Sequence, residues 1–72
     1  MTVQKLLSLC WSYEWISVEA LNGEPLCEME EASGLCERHP EVANLHVHVF
    51  FCGTRFVNCL HKSIPVLVVE VE

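Results

Sequence analysis

The sequence predicts an α+β fold: two helices packed on a small, mostly antiparallel sheet of three to four strands, in a single small domain spanning residues 1–72. Three observations lead to this class. Near the N-terminus, apolar residues recur with the 3.6-residue period of a helix. In the C-terminal half they alternate with polar residues, as in half-buried strands. Hydrophobic residues make up 51% of the chain and charged residues 19%, a balance that argues against intrinsic disorder.

The first helix is predicted over about residues 2–12, and the first strand over about residues 13–21. Thr2 is a favourable N-cap residue, and the apolar side chains after it share one broad face of a helical wheel: Val3, Leu6, Leu7, Leu9, Cys10 and Trp11. The next stretch, YEWISVEAL, is rich in aromatic and β-branched residues with a period of two, which is typical of a strand. Asn22-Gly23 then marks a turn.

Two structures compete for the segment that follows this turn. Asn-Gly between apolar runs favours a hairpin, in which EPLCEME would be the second strand. A helix over about residues 25–38 is favoured by Pro25, which suits the first turn of a helix, and by Pro40, which disfavours helix at the residue before it. On a wheel, Met29, Ala32 and Cys36 separate from the glutamates. We therefore prefer the helix to the hairpin.

Three further strands are predicted over about residues 45–51, 54–61 and 64–71, after a loop at 40–44. In LHVHVFF, apolar residues alternate with His46 and His48, and Gly53 separates this strand from the next. IPVLVVEV is apolar on both faces, as in a strand that is buried on both sides. The predicted core collects the apolar positions on the inward faces: Leu6, Cys10, Ile16, Val18, Met29, Val47, Val49, Val66 and Val68.

The charge distribution excludes several classes of partner. The formal net charge is -6, and six of the ten glutamates lie between residues 24 and 41, a run that is typical of a solvated face. The four cations are scattered and form no basic patch, so nucleic-acid binding is not expected: Lys5, Arg38, Arg55 and Lys62. No uninterrupted apolar run approaches the roughly 20 residues that cross a membrane, so no membrane partner is expected.

The cysteine count bears on the cellular compartment. Five cysteines are present, and an odd number favours free thiols in the reducing cytoplasm. A secreted disulfide-bonded peptide is the alternative, because the apolar stretch LLSLCW follows Lys5 near the N-terminus. Removal of the first twenty residues would leave four cysteines, which can pair in three ways.

Residues 36–52, CERHPEVANLHVHVFFC, raise the question of a zinc site. The cysteines and histidines of this stretch and of the next strand supply candidate ligands: Cys36, His39, His46, His48, Cys52, Cys59 and His61. If a site exists, Cys36, His39, Cys59 and His61 are the first candidates. However, no Cys-x-x-Cys pair occurs, and a half-buried strand already accounts for the alternation around His46 and His48. We therefore expect no metal or other cofactor, and these two histidines on a polar strand face.

No catalytic residues are expected, because the sequence has no glycine-rich phosphate loop and no serine-centred elbow. The sequence favours a small acidic, non-enzymatic protein that binds another protein as a regulator, inhibitor or accessory subunit. Trp11, Tyr13 and Trp15 are candidate partner contacts, since aromatic residues are enriched in binding hot spots. At least one tryptophan is expected to complete the core, and a homodimer through a strand edge is a natural extension. A zinc-stabilised domain, a secreted peptide and a chain without an evolved function are the alternatives.

Overall fold

The computed structural model describes residues 1–72 and confirms the α+β class, with a four-stranded sheet and three short α-helices. In chain order the elements are α1 (Val3–Ser8), β1 (Trp15–Ala20), β2 (Glu30–Glu31), α2 (Ala32–Arg38), α3 (Pro40–Ala43), β3 (Val47–Val57), a 3-10 turn (Asn58–Leu60) and β4 (Lys62–Val71).

The strands lie in the order β2-β1-β4-β3. β1 pairs with β4 in parallel, while β1–β2 and β3–β4 are antiparallel, so the sheet is mixed. Since β4 has a neighbour on each side, it is a central strand. Its alternate side chains are buried on both faces, Val66 and Val68 on one and Val69 and Val71 on the other, which confirms the prediction from its unbroken apolar run.

The helices cover one face of the sheet, here called the helix face. A cluster of nine buried residues joins α1, α2 and α3 to β1 and β4 across this face: Val3, Leu6, Leu7, Ile16, Val18, Leu35, Val42, Val69 and Val71. Its members on β1 and β4 lie side by side because the parallel register aligns Ile16 with Leu67 and Val18 with Val69.

Most of the predicted core is confirmed. Five of its positions are buried (Leu6, Ile16, Val18, Val66 and Val68), and three are half-buried (Cys10, Met29 and Val47). The prediction that Val49 belongs to the core is wrong, because its side chain is exposed. A bulge between Val47 and Val49 shifts the alternation of β3, so Phe50 rather than Val49 lies on the same face as Val47.

α1 is shorter than the predicted helix 2–12. Thr2 caps its start as expected, because the Thr2 hydroxyl oxygen accepts a hydrogen bond from the Lys5 N–H at 3.2 Å. The helix ends at Ser8, and residues 9–14 form a turn that leads into β1. The carbonyls of Ser12 and Glu14 accept hydrogen bonds from Ser33 and Ala32. This segment thus satisfies the free amides at the start of α2, which has no side-chain cap.

The predicted helix 25–38 is wrong in its first half, where the hairpin forms instead. The Ala20 N–H donates to the Glu24 carbonyl at 2.8 Å, and the Leu26 N–H donates to the Val18 carbonyl at 2.9 Å. The turn is fixed by Gly23, whose φ is +86°, and by the Asn22 side chain, which accepts from the Glu24 N–H. The Asn22-Gly23 turn therefore determines the structure of the segment after it, and the predicted helix forms only from residue 32, where α2 begins.

The predicted strands 45–51 and 54–61 are one continuous strand, β3. Gly53 does not interrupt it, since it pairs with Val66 of β4 inside the strand. A Cβ atom at this position would lie 3.0 Å from the Val68 Cγ2 atom and 3.3 Å from the Arg55 Nη1 atom. Glycine therefore allows close packing inside β3 rather than a turn. The actual turn lies at residues 58–61, where His61 adopts a left-handed conformation with φ 54°. The predicted loop 40–44 contains the single helical turn α3.

The packing at Gly53 predicts that Gly53→Ala destabilises the protein. We expect the free energy of unfolding to fall by about 2 kcal/mol, because the added methyl group must displace the buried Val68 side chain. Thr54→Ala, at the exposed neighbouring position, is the matched control and should cost less than about 1 kcal/mol. Urea unfolding of both variants makes the comparison, and equal losses would contradict the close approach.

Candidate functional site

The four first-choice zinc ligands are not brought together. Cys36 and His39 lie at the end of α2, whereas Cys59 and His61 lie in the turn between β3 and β4. No group of three or more cysteine, histidine or acidic side chains is placed to hold a metal ion. The His39 Nε2 atom instead lies 2.5 Å from a carboxylate oxygen of Glu30, although it makes no hydrogen bond. The other oxygen of Glu30 accepts a hydrogen bond from Arg38 at 2.6 Å.

The remaining candidate ligands also do not gather into a metal-binding group. His46, His48 and Cys52 are exposed. The two histidines do not form the predicted polar strand face, because His46 precedes β3 and the bulge between Val47 and Val49 interrupts the alternation. The nearest acidic atom to the His48 ring is the Glu72 carboxylate, 3.7 Å from Nδ1.

The five cysteines are free thiols, and the partly buried ones are poor nucleophiles. Burial raises the pKa of Cys36, and burial together with the nearby Glu14 carboxylate raises the pKa of Cys10. Burial, followed by the charges of Glu41 and Glu30, raises the pKa of Cys27 to about 11. These groups are protonated at neutral pH, whereas a catalytic cysteine acts as the thiolate.

The three aromatic candidates for partner binding differ in exposure. Trp11 is 72% exposed and Tyr13 is 65% exposed. Their rings meet edge to face, with centroids 5.5 Å apart and planes at 88°. Trp15, at the start of β1, is half-buried. Trp11 and Tyr13 therefore form a preordered aromatic pair on the surface.

The two edges of the sheet differ in length and charge. The β2 edge has only two paired residues, Glu30 and Glu31, both acidic, which is a common protection against strand pairing. The opposite edge is the outer side of Val47–Val57, called the β3 edge. Its first residue is paired, because the Val47 N–H donates to the Met1 carbonyl at 2.9 Å, and no strand lies beside the rest of it. Its large apolar side chains are between 41% and 55% exposed: Val49, Phe50, Phe51 and Phe56. Sequence reasoning missed this surface, because Gly53 divided it into two shorter strands.

The only charged side chain of β3, Arg55, is directed into the sheet rather than toward the β3 edge. Its Nε atom donates to the Glu19 Oε2 atom at 2.9 Å, and its Nη2 atom donates to Oε1 at 3.3 Å. The Ser17 hydroxyl also donates to Oε2, at 2.6 Å. Burial alone would raise the pKa of Glu19, but these hydrogen bonds and the charge of Arg55 outweigh it and hold the pKa low.

The contact between Glu19 and Arg55 requires a coiled sheet. In the register of β4, Glu19 aligns with Glu70 and Arg55 aligns with Ile64. Six residues of a flat strand span about 20 Å, which is beyond the combined reach of the two side chains. The β3–β4 hairpin therefore curls toward β1. This curl encloses Val57, Val66 and Val68, which are buried although they lie outside the cluster on the helix face.

A cleft of about 520 Å³ lies between the β1–β2 connection and the end of β3. It is lined by Pro25, Leu26, Cys27, Glu28, Met29, Val57, Asn58 and Cys59. The carboxylate of Glu28 is its only charged group, so the cleft presents no pair of side chains for acid–base chemistry.

No helix of the chain has the length and apolar character needed to span a membrane. Comparison of the chain with protein-family models, curated proteins and solved structures finds no match.

The Glu19–Arg55 pair predicts a pH-dependent loss of stability for Arg55→Met. At neutral pH we expect the free energy of unfolding to fall by about 2 kcal/mol, less than for a fully buried pair because the Arg55 side chain is 37% exposed. A lowered folded pKa means that ionised Glu19 contributes stability above its unfolded pKa and loses it as the pH falls through the folded value. The difference between wild type and variant should therefore shrink in acid.

Urea unfolding at about pH 7 and about pH 3 measures this difference. The double variant Glu19→Gln, Arg55→Met is the control, because it removes the unpaired charge and should recover part of the loss at neutral pH. A loss that is the same at both pH values would contradict the assignment.

Proposed function

We propose that this chain is a small acidic, non-enzymatic protein that acts by binding another protein chain, as a regulator, inhibitor or accessory subunit. The supporting observation is the β3 edge, which has no neighbouring strand beyond Val47 and is lined by exposed aromatic side chains. The binding mode is strand addition, in which a partner segment pairs with the backbone of β3 and extends the sheet.

Both components of such binding are available at the β3 edge. Antiparallel pairing uses the backbone groups of every second residue, so about half of the N–H and C=O groups of β3 are directed away from β4. A partner strand can satisfy these groups, while pockets between alternate side chains supply specificity. Phe50, Phe51 and Phe56 provide the apolar area that an interface core requires.

The contrast between the two edges supports this assignment. Proteins commonly protect an exposed edge with lysine, proline, inward charges or a very short strand. The β2 edge is short and acidic, whereas Val47–Val57 contains no lysine, glutamate or proline. Its single arginine is held by Glu19. The chain therefore protects its β2 edge but not its β3 edge, and an unprotected edge is suited to binding a partner strand.

Trp11 and Tyr13 are proposed as a second contact surface for a partner. Both rings are already packed on each other, so less side-chain entropy is lost when they are covered. We place this activity in the cytoplasm, since five free thiols suit a reducing compartment. We also propose a second copy of the chain as a partner for a strand edge.

Selection of peptides on the immobilised chain tests the proposed binding mode. The probe is a phage-displayed library of random heptapeptides, selected on chains spaced too far apart to meet. We expect enrichment of segments with alternating apolar residues, which bind with a Kd of about 10 μM. Replacement of Phe50 and Phe56 by lysine should weaken this binding at least about tenfold.

Leu21→Lys is the matched control, because Leu21 is an equally exposed apolar residue in the β1–β2 turn. It should leave peptide binding unchanged. If no peptides are enriched, or if the enriched peptides bind equally well to the double lysine variant, strand addition at the β3 edge is not the function of this chain.

A further inference from the structure

We infer that the cleft between α1 and α2 binds a lysine side chain of the partner protein, with Trp11 and Tyr13 at its rim. The inference rests on the proposed function, since it names the group of the partner that the second contact surface recognises. Three features of the chain lead to it: the lining of the cleft, two carboxylates without a cation, and the aromatic pair beside them.

The cleft lies between α1, the turn that follows α1, and α2, and its volume is about 370 Å³. Both helices and the turn contribute to its apolar lining: Leu7, Cys10, Ala32 and Cys36. Such walls match the aliphatic stem of a lysine, which packs its methylene groups on apolar surface while the ammonium group stays in a polar environment. The two thiols add no charge, because burial raises the pKa of both.

The polar lining of the cleft supplies hydrogen-bond acceptors for an ammonium group. The Ser8 hydroxyl donates to the Lys5 carbonyl at 2.6 Å, so its oxygen remains free to accept. The hydroxyls of Ser12 and Ser33 make no hydrogen bond within the chain. Lysine carries three rotatable donors on a compact charge, which suits acceptors that come from different elements, whereas the guanidinium group of arginine needs a matching planar fork.

The charge around the cleft favours a cation. Glu37 is the only charged residue of the lining. Glu14 lies close to it, since burial and then the charge of Glu14 raise the pKa of Cys10. Neither carboxylate forms an ion pair within the chain. A lysine of the partner therefore meets two uncompensated negative charges, in a chain whose net charge is -6.

The aromatic pair adds a second source of attraction at the rim. Trp11 lies between two lining residues, Cys10 and Ser12. The Ser12 carbonyl accepts a hydrogen bond from the Ser33 N–H at 3.1 Å, which holds this turn against α2. The edge-to-face contact with Tyr13 leaves ring faces of both residues open. A cation within about 6 Å of such a face is attracted by the ring quadrupole, so the rim favours the same charge as the cleft.

Titration with short peptides, followed by amide NMR spectroscopy of the chain, tests the site. The probe is a glycine peptide with blocked ends and one central lysine. Its matched control carries norleucine, which keeps the aliphatic stem and removes the ammonium group. We expect the lysine peptide to bind with a Kd of about 1 mM and the norleucine peptide to bind at least about fivefold more weakly. A trimethyllysine peptide should also bind more weakly, because it has no N–H donor for the serine hydroxyls.

Single substitutions assign the binding to the cleft and to the aromatic ring. Trp11→Leu keeps an apolar side chain but removes the ring face, and Glu37→Gln removes the charge of the cleft. Each should raise the Kd of the lysine peptide at least about threefold. Glu24→Gln is the control, since it removes the same charge from the exposed β1–β2 turn, and it should leave the Kd unchanged. Circular dichroism of each variant establishes that the fold is preserved.

Three results would overturn the inference. Equal binding of the lysine and norleucine peptides would show that the surface recognises apolar area rather than charge. Tighter binding of the trimethyllysine peptide would show that the serine hydroxyls do not hold the ammonium group. An equal loss of affinity in Glu37→Gln and Glu24→Gln would show that the net charge, and not the cleft, attracts the peptide.

The outcomes for the cleft and for the proposed function are separable. If library peptides bind the β3 edge while the lysine peptide does not bind, the lysine site falls and strand addition stands. If the lysine peptide binds with the expected selectivity and no library peptide binds the β3 edge, the lysine site stands and strand addition falls.

Discussion

The contact between Glu19 and Arg55 constrains the shape of the whole sheet. The two residues lie on β1 and β3, on either side of the central strand β4, and their charged groups meet only because the β3–β4 hairpin curls. A 72-residue chain has few residues left for covering layers, and its three helices cover one face. Curling buries Val66 and Val68 without a second layer of helices. The pair is thus more important for the arrangement of the strands than for net stability, since desolvation offsets much of its attraction.

This curl also determines which part of the sheet remains unpaired. β4 is paired with β3 along its length and with β1 over Leu67–Val71, and β1 is paired along its other side by the hairpin segment and β2. The outer side of β3 beyond Val47 is the longest stretch of strand without a partner. Because Arg55 is directed inward to Glu19, the charge that would otherwise protect this edge is absent from it. The interaction that shapes the sheet therefore also creates the surface that we assign to binding.

The sequence predicts those features that depend on local chemistry. Thr2 marks the helix start, and the apolar run Val66–Val69 marks a strand buried on both faces. The errors arise where tertiary contacts decide between local alternatives. Gly53 resembles a turn residue, but its role depends on its distance to Val68. That residue lies 15 positions later in the sequence, on β4, and comes close to Gly53 only in the fold. The bulge at residues 47–49, which exposes Val49, has no local signal either.

The candidate site was predicted only in part, for the same reason. Trp11 and Tyr13 are exposed, as a partner contact requires, and their role as partner contacts stays a prediction. The β3 edge depends on strand order, which the alternation of apolar and polar residues does not specify. A sequence can show that a strand has two apolar faces, but not whether it lies in the middle or at the edge of a sheet.

Residue-resolved amide hydrogen exchange, measured with and without a peptide selected on the chain, tests the central claim most directly. If a partner strand adds to the β3 edge, alternate amides beyond Val47 should gain protection when the peptide binds, because only every second N–H is directed outward. Amides of α1 and of the β1–β2 turn should not change. Exchange in β3 that is unchanged by the peptide, or protection that appears instead around Trp11 and Tyr13, would contradict the account.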